Sequence, residues 1–393
     1  MNYAARMARL GTETAFEVLA RAQALEAQGK SVVHLEIGEP DFDTPEHIRR
    51  AAIEAMQSGW THYGPSAGLR DVREAIATSI EQTRGIYADP DQVVVTPGGK
   101  PILFFTMLAL LDEGDEAIYP NPGFPIYESV IQFLGAKAVP IRLHEDKNWA
   151  FDLDELASLV TPKTKLLVLN SPHNPTGGVL DHAALKGIAD LAAKHSFTIL
   201  SDEIYSRILY EGTHESIAAF PGLRERTVIL DGFSKTYAMT GWRLGYGVMD
   251  KPLAAHVARL MTNCNSCTNS FVQKAGKAAL TGPQTAVDDM VAEFHRRRNR
   301  LVEGLNALPG VSCTMPAGAF YAFPNITGTG MSSGDLAKAM LEEAGVAVLS
   351  GTAFGQYGEG YLRLSYANSI ENLEKALARM GAYLEEKLKA RTR

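Results

Sequence analysis

Cysteine is scarce in this chain of 393 residues, in which only Cys264, Cys267 and Cys313 occur. An odd and small number of cysteines does not form the disulfide framework of a secreted protein, so we expect a cytoplasmic protein. Cys264 and Cys267 have the spacing of a redox or zinc-binding pair, but the sequence contains no second pair. We therefore interpret both as ordinary thiols and expect no bound metal.

An excess of positive charge and long apolar runs are also missing. Lys and Arg total 38 against 45 Asp and Glu, which gives a net charge of −7 and argues against general binding to nucleic acid or anionic membranes. The longest apolar stretch, residues 102–111, is interrupted by Thr106 and is too short to cross a bilayer. Residues 1–6 carry positive charge with no apolar segment behind them, so we expect no export signal.

What the chain does have is a regular alternation of short aliphatic runs with helical stretches between residues 90 and 250. Such alternation is typical of an α/β fold whose mostly parallel sheet is covered by helices on both faces. The predicted strands are 93–96, 117–119, 166–170, 198–202 and 227–231.

Both ends of the chain have a different pattern. Thr14-Ala-Phe-Glu17 resembles a capping box and predicts a helix that ends at Gly29. A long helix is predicted over 286–308 and a final one from about Ile370, with short strands between them. Arg296-Arg297-Arg298 is interpreted as a solvated helix face. We expect an N-terminal helix and arm over 1–44 that packs with the small domain, a large domain over 45–285, and a small α+β domain over 286–393.

The chemistry-bearing residues follow the predicted strands, where ligands bind in open parallel sheets. After the first strand, Pro97-Gly98-Gly99-Lys100-Pro101 opens an apolar helix. The glycines allow an anion to approach the backbone, and the helix directs its free N–H groups at the loop. Taken alone, this segment fits either a structural glycine turn or a phosphate site. It is not a P-loop, because Val94 stands where the upstream glycine would be.

Two further strand ends supply an amine and a carboxylate. Lys235 and Arg243 lie on one loop, so an amine able to form an imine is close in sequence to a guanidinium able to bind a phosphate. Asp202 ends a hydrophobic strand, where a carboxylate needs a cation or a donor as its partner. A structural cap and a protonated pyridine nitrogen both satisfy that need.

Taken together, these motifs resemble the class I/II aminotransferases, pyridoxal 5′-phosphate (PLP) enzymes of fold type I, and are closest to the bacterial aspartate aminotransferases. The resemblance covers nearly the whole chain and implies a mostly parallel seven-stranded sheet flanked by helices in the large domain. The motifs that carry it are Gly98-Gly99-Lys100, Asn174-Pro-Thr-Gly177, Ser201-Asp202-Glu-Ile-Tyr205, Ser234-Lys235, Gly241-Trp-Arg243-Leu-Gly245 and Arg363-Leu-Ser-Tyr366.

The resemblance also implies roles for individual residues. Lys235 would hold PLP as a Schiff base and act as the general base, and Asp202 would keep the pyridine nitrogen protonated. Tyr205 and Asn174 would hydrogen-bond the ring oxygen. Phe124 would stack on the ring, and Arg363 with Gly38 would bind the substrate α-carboxylate. The residues implied for the phosphate are Gly98, Gly99, Lys100, Ser234 and Arg243, with Tyr63 contributed by the other subunit of a homodimer.

The amino donor stays open at this point. Phe124 stands where many aspartate aminotransferases have Trp, and residues 10–15 offer no basic residue for a side-chain carboxylate. Arg6, Arg9 or the partner subunit would have to supply one. Aspartate is the best single expectation, with aromatic, branched or other amino acids as alternatives. A carbon–sulfur lyase or a cyclopropane-forming synthase on the same fold shares the cofactor residues.

Three other classes fit poorly. Gly64-Pro-Ser66-Ala-Gly68 matches a hydrolase nucleophile elbow in letters, but no predicted strand precedes it. Gly328-Thr-Gly330 lacks the glycine spacing and the leading strand of a dinucleotide site. An aminotransferase-like transcription regulator would carry a DNA-binding domain ahead of Glu36, where only 35 residues stand.

Overall fold

The structure, a computed structural model, describes residues 1–391. Its α-helices are α1 (Ala15–Glu26), α2 (Glu46–Gln57), α3 (Arg70–Arg84), α4 (Lys100–Leu110), α5 (Ile126–Phe133), α6 (Leu153–Leu159), α7 (His182–Lys194), α8 (Lys251–Cys264), α9 (Ser270–Thr281), α10 (Thr285–Asn306), α11 (Ser333–Ala339) and α12 (Ile370–Arg391).

The strands lie mainly in the middle of the chain. They are β1 (Val33–His34), β2 (Val93–Thr96), β3 (Glu116–Asn121), β4 (Lys137–His144), β5 (Ala150–Phe151), β6 (Thr164–Asn170), β7 (Thr198–Asp202), β8 (Thr227–Gly232), β9 (Gly245–Val248), β10 (Tyr321–Ala322), β11 (Val346–Ala347), β12 (Leu349–Ser350) and β13 (Leu362–Ser365).

One large sheet organises the middle of the chain, with strand order β2-β9-β8-β7-β6-β3-β4-β5. The strands β4, β3, β6, β7 and β8 pair in parallel, while β9 is antiparallel to both of its neighbours. The expected mostly parallel α/β sheet is confirmed. Its seven strands are present, and the two-residue β5 adds an eighth at the edge.

Both faces of this sheet are buried. Along β2, Val93 and Val95 pack into one apolar cluster while Val94 packs into another, and along β8 the same alternation separates Ile229 from Val228. Because side chains of a strand alternate between faces, these clusters are the two layers between sheet and helices. Since β2 runs parallel to β6, β7 and β8, their carboxyl ends meet at one edge.

The C-terminal part has its own sheet and core. β10, β13 and β12 form an antiparallel sheet, packed with Phe294 and Leu301 of α10. The N-terminal segment joins this part, because β1 pairs in parallel with β11 and Ala22 of α1 packs against Leu341 and Ala347. The divisions 1–44, 45–285 and 286–393 stay a prediction, and residues 392 and 393 lie outside the described chain.

Two local expectations are wrong. Thr14 precedes α1 but has helical dihedrals and makes no side-chain capping hydrogen bond, and the helix ends at Glu26 rather than Gly29. The triple arginine is not a solvated face, because Arg297 and Arg298 are buried. Arg297 pairs with Glu293 and Asp41, and burial of its stem and head is possible because both carboxylates satisfy the guanidinium.

None of the helices in residues 1–391 is both long and apolar enough to cross a membrane.

Candidate active site

A cavity of about 570 Å³ opens where the carboxyl ends of β2, β6, β7 and β8 meet. It also borders the N-terminal segment and the C-terminal sheet, so residues far apart in sequence face one another. Eleven of the thirteen site residues expected from the sequence line it: Gly38, Gly99, Lys100, Phe124, Asn174, Asp202, Tyr205, Ser234, Lys235, Arg243 and Arg363.

The loop between β2 and α4 forms one wall. Gly98 has a φ of 88°, a left-handed conformation that favours glycine, and a Cβ there would collide with the Arg243 guanidinium. Gly98 therefore does not line the cavity itself but allows Arg243 to lie against the loop. Gly99 is the N-cap of α4 and has no side chain to accept a hydrogen bond from the first N–H groups of the helix. The positive end of the helix is therefore available to a ligand.

Asp202 forms the floor, at the end of β7, and is only 7% exposed. Its carboxylate accepts a hydrogen bond from the Tyr127 hydroxyl at 2.6 Å and from the Ile204 N–H at 3.3 Å. Burial raises the pKa of Asp202 to about 6, against the opposing effect of the two donors. No cation pairs with this carboxylate among residues 1–391, so the site has room for a positively charged partner.

Lys235 follows β8 and projects into the same cavity. Its Nζ donates to the Gly38 carbonyl oxygen at 2.5 Å and lies 5.8 Å from the centroid of the Phe320 ring. Desolvation lowers the pKa of this amine to about 8, because burial disfavours the ammonium form. A buried amine with a pKa below that of an ordinary lysine has a larger neutral fraction, and is thereby better suited to act as a nucleophile and as a base.

Arg363 comes from β13 and is 4% exposed. Its neighbours Leu362 and Leu364 pack into the C-terminal core, so the arginine faces the cavity, as strand alternation predicts. The guanidinium donates to the Glu36 carbonyl oxygen and, at 3.4 Å, to Asn174 Oδ1, while its Nε is buried without a hydrogen-bond partner. The group retains donor capacity for a ligand carboxylate.

Aromatic residues complete the site. The hydroxyl groups of Tyr205 and Tyr321 lie 2.8 Å apart, and a Cβ at Gly38 would collide with the Tyr321 hydroxyl, which explains the glycine there. Phe124 lines the wall beside α5 and packs edge-on against Tyr127. Phe124 therefore contributes an aromatic ring to the cavity wall.

Four residues named from the sequence either lie outside the cavity or direct their side chains away from the expected ligand. Tyr63 is 90% exposed and does not line the cavity of its own chain. Lys100 does line it, but its ammonium pairs with the Glu13 carboxylate rather than with the glycine loop. Arg6 and Arg9, suggested for a side-chain carboxylate, are exposed and do not line the cavity, and Arg9 donates to the Phe133 carbonyl oxygen at 3.2 Å.

Sequence reasoning missed three residues of the site. Tyr127 lies three positions after Phe124, in the first turn of α5, and this short spacing was a usable signal. Tyr321 and Glu13 reach the cavity only through the packing of the chain ends against the large sheet, and no local pattern marks them.

Comparison with known proteins identifies the family of this chain. The family model for aminotransferases of class I and II matches residues 30–380. The chain is 42% identical to aromatic-amino-acid aminotransferase 2 of Thermococcus litoralis, covering 92% of this chain and 94% of the relative. It is also 42% identical to the aspartate aminotransferase of Pyrococcus abyssi, covering 91% of this chain and 93% of the relative. The solved aspartate aminotransferase of Thermus thermophilus with maleate superposes with a TM-score of 0.93 at 38% identity, covering 97% of this chain and 99% of that one.

The match extends over nearly the whole chain in both sequence and structure, and the family expected from the motifs is confirmed. This chain belongs to the class I and II aminotransferases, a family of PLP enzymes that exchange amino groups between amino acids and oxo acids.

Proposed function

We propose that this aminotransferase moves an amino group from an L-amino acid to a 2-oxo acid such as 2-oxoglutarate by a ping-pong mechanism, with L-aspartate as the best single donor. The observation that carries the proposal is the convergence of Lys235, Asp202 and Arg363 in one cavity. The aspartate assignment is supported by the names of relatives from Pyrococcus abyssi and Musicola paradisiaca, 42% and 38% identical.

Aromatic donors are the second candidate. Phe16, Phe124 and Phe354 line the cavity and present apolar surface to a substrate side chain. The relative from Thermococcus litoralis is named for aromatic amino acids. Buried apolar contact with such a side chain contributes about 25 cal/mol per Å².

The cavity fits pyridoxal 5′-phosphate. The uncapped start of α4, together with Ser234 and Arg243, suits a phosphate group. Asp202 lacks a cationic partner and suits a pyridinium nitrogen, and the Lys235 amine suits an aldehyde. Tyr205 and Asn174 line the space between these groups, where they would hold the ring oxygen.

When bound, the cofactor supplies a carbonyl carbon for the amino group and an electron-withdrawing ring. Side chains of the protein move the proton, stabilise charge and orient the substrate. Lys235 Nζ, whose pKa burial lowers to about 8, removes the proton from the substrate α-carbon. The ionised carboxylate of Asp202, at the bottom of the cavity, stabilises a positive charge on the bound ligand. Arg363 binds the α-carboxylate, with Gly38 leaving space beside it, and so fixes which bond of the α-carbon faces Lys235.

We further propose a homodimer in which Tyr63 serves the neighbouring site. The support is that Tyr63 is exposed in its own chain, with Met56 and Trp60 of the same region also more than a third exposed. Large exposed apolar side chains in one region are typical of an interaction surface. A cytoplasmic location stays a prediction.

Covalent labelling tests the function at its central residue. Borohydride treatment of the holoenzyme followed by peptide mapping is expected to place the pyridoxyl group on Lys235. Lys235→Ala should fold yet lose turnover by at least about 10⁴-fold, because it lacks the base and the covalent anchor. A label on Lys100 or another lysine would contradict the assignment.

A further inference from the structure

An ion pair lies at the mouth of the cavity, outside the groups that the proposed mechanism uses. Glu13, in the segment before α1, accepts from the ammonium of Lys100, the first residue of α4. Both residues line the cavity, and the Lys100 Nζ is 5.6 Å from the centroid of the Phe124 ring. The Glu13 side chain is 19% exposed and that of Lys100 is 50% exposed, so the pair is within reach of solvent and substrate.

The other cations of the cavity already have partners or tasks. Among residues 1–391, the positively charged side chains that line it are those of Lys100, Lys235, Arg243 and Arg363. Lys235 contacts the Gly38 carbonyl, Arg243 lies against Gly98, and Arg363 faces the place of the α-carboxylate. Lys100 is therefore the remaining cation of this chain for a second substrate carboxylate.

Glu13 competes for that cation. A dicarboxylic substrate has to displace the Glu13 carboxylate from Lys100 or accept like-charge repulsion from it. Glu39 adds to this repulsion, since it also lines the cavity, where it accepts a hydrogen bond from Thr240. A neutral substrate side chain leaves the Glu13–Lys100 pair intact.

The remaining surface near the pair suits neutral side chains. Phe16, Phe124 and Phe354 line the cavity with Leu349 and Ala353. An apolar side chain gains contact with this surface and disturbs no ion pair. The mouth of the cavity therefore reduces the advantage of a dicarboxylic substrate in two ways: it offers apolar surface to a neutral side chain, and Glu13 occupies the Lys100 ammonium.

We propose that Glu13 is a specificity-determining residue, which holds Lys100 in an internal ion pair and so lowers the selectivity of the enzyme for dicarboxylic over neutral amino acids. This inference rests on the proposed function and names the residue that sets its substrate range. The ratio of kcat/KM for aspartate to kcat/KM for a neutral donor is then smaller than it would be if Lys100 were not paired with Glu13.

The experiment removes the competing charge while keeping the side-chain shape. In Glu13→Gln holoenzyme, kcat/KM of the first half-reaction is measured with L-aspartate and with L-phenylalanine. We expect the aspartate value to rise about three- to tenfold, the size of a partly exposed charge pair, and the phenylalanine value to stay within about twofold. Inhibition by succinate, an unreactive dicarboxylate, should strengthen by the same factor.

Two variants serve as controls. Glu17→Gln removes a carboxylate four residues further along, which is exposed and does not line the cavity, and should leave the aspartate-to-phenylalanine ratio unchanged. The double variant Glu13→Gln with Lys100→Gln should lose the gain, because the freed cation is absent.

The outcomes separate this inference from the proposed function. An unchanged ratio in Glu13→Gln, an equal gain for both donors, or a gain that persists without Lys100 would overturn the role of Glu13. Wild-type protein that transfers no amino group from either donor would instead overturn the proposed function.

Discussion

Two adjacent residues of β7 and the turn after it, Asp202 and Glu203, belong to opposite electrostatic environments. Both are buried, at 7% and 1% exposure. Glu203 accepts hydrogen bonds from Arg84, His214, Ser201 and Ser216, whereas Asp202 accepts from one phenol and one backbone N–H. The pKa of Glu203 falls to about 2, because the charges of His214 and Arg84 outweigh the effect of burial. The pKa of Asp202 rises to about 6 because burial dominates.

The difference distinguishes a structural cluster from a binding site. Arg84 compensates Glu203 on one side and Asp231 on the other, and their attraction raises the pKa of Arg84 despite desolvation. That cluster is complete within the chain. Asp202, by contrast, is a buried carboxylate with no cationic partner within the described part of the chain, which is the expected state of a group that binds a cationic ligand.

Removing Arg84 should have the largest effect on stability. Arg84→Met leaves Asp231 buried without a cation and Glu203 with His214 alone, and the free energy of unfolding should fall by about 3–5 kcal/mol. Denaturant unfolding of the holoenzyme measures the change. Arg70→Met on the same helix removes two exposed ion pairs, with Glu74 and Asp91, and should leave stability nearly unchanged. Equal losses in both variants would contradict the argument.

Asp202→Asn should affect catalysis instead. The variant keeps the shape and the hydrogen bond from Tyr127 but removes the charge on the cavity floor. We expect kcat/KM to fall about 10²–10³-fold while the cofactor still binds, because a preorganised charge is lost. Steady-state kinetics with measured cofactor content tests this, and near-normal turnover would show that Asp202 is only a strand cap.

Neutralising Asp202 and neutralising Glu203 should change the melting temperature in opposite directions. The pKa of Asp202 is higher in the fold than its usual 3.8, so its ionisation destabilises the cofactor-free chain as pH rises through about 6. Asp202→Asn should therefore melt higher than wild type at pH 8 without cofactor. The pKa of Glu203 is lower than its usual 4.5, so Glu203→Gln should melt lower at the same pH. The advantage of wild type over Glu203→Gln should disappear as pH falls towards 2.

This comparison also shows which parts of the molecule could be predicted from the sequence. The strands β2 and β7 match the predicted bounds. Asp202 and Lys235 are predictable because Asp202 ends the aliphatic strand β7 and Lys235 lies three residues after β8. Strand ends are local signals, and parallel pairing brings them to one edge. Arg84 gives no such signal, since 119 residues separate it from Glu203.

The wrong and missing predictions share a physical cause. Arg297 and Arg298 looked like a solvated face because three consecutive charges are usually exposed, yet Asp41 and the Pro316 carbonyl oxygen satisfy them from other parts of the chain. Glu13 reaches Lys100 across 87 residues for the same reason. Partners supplied by tertiary packing cannot be read from local sequence.

Arg363→Lys should lower kcat/KM by an intermediate factor, and it tests a second buried charged side chain of the cavity. Burial lowers the pKa of Arg363, and its Nε has no hydrogen-bond partner among the described residues 1–391. One ammonium cannot reproduce the guanidinium fork, so kcat/KM for amino acids should fall about 10–100-fold. Half-reactions with amines that lack a carboxylate provide the control and should change little, and an equal loss for both classes would contradict the carboxylate role.

The smallest effect is expected at Tyr127, whose hydroxyl donates to Asp202 at 2.6 Å. Tyr127→Phe keeps the ring that packs edge-on against Phe124, so packing should persist and kcat/KM should fall only about three- to tenfold. The hydrogen bond from Tyr127 opposes the burial that raises the pKa of Asp202. Without it the pKa rises further, so Asp202 takes up its proton at a higher pH. Because the ionised carboxylate is the active form, the acid limb of the kcat/KM profile should move to higher pH, and a limb that stays in place would show that Tyr127 only fills space.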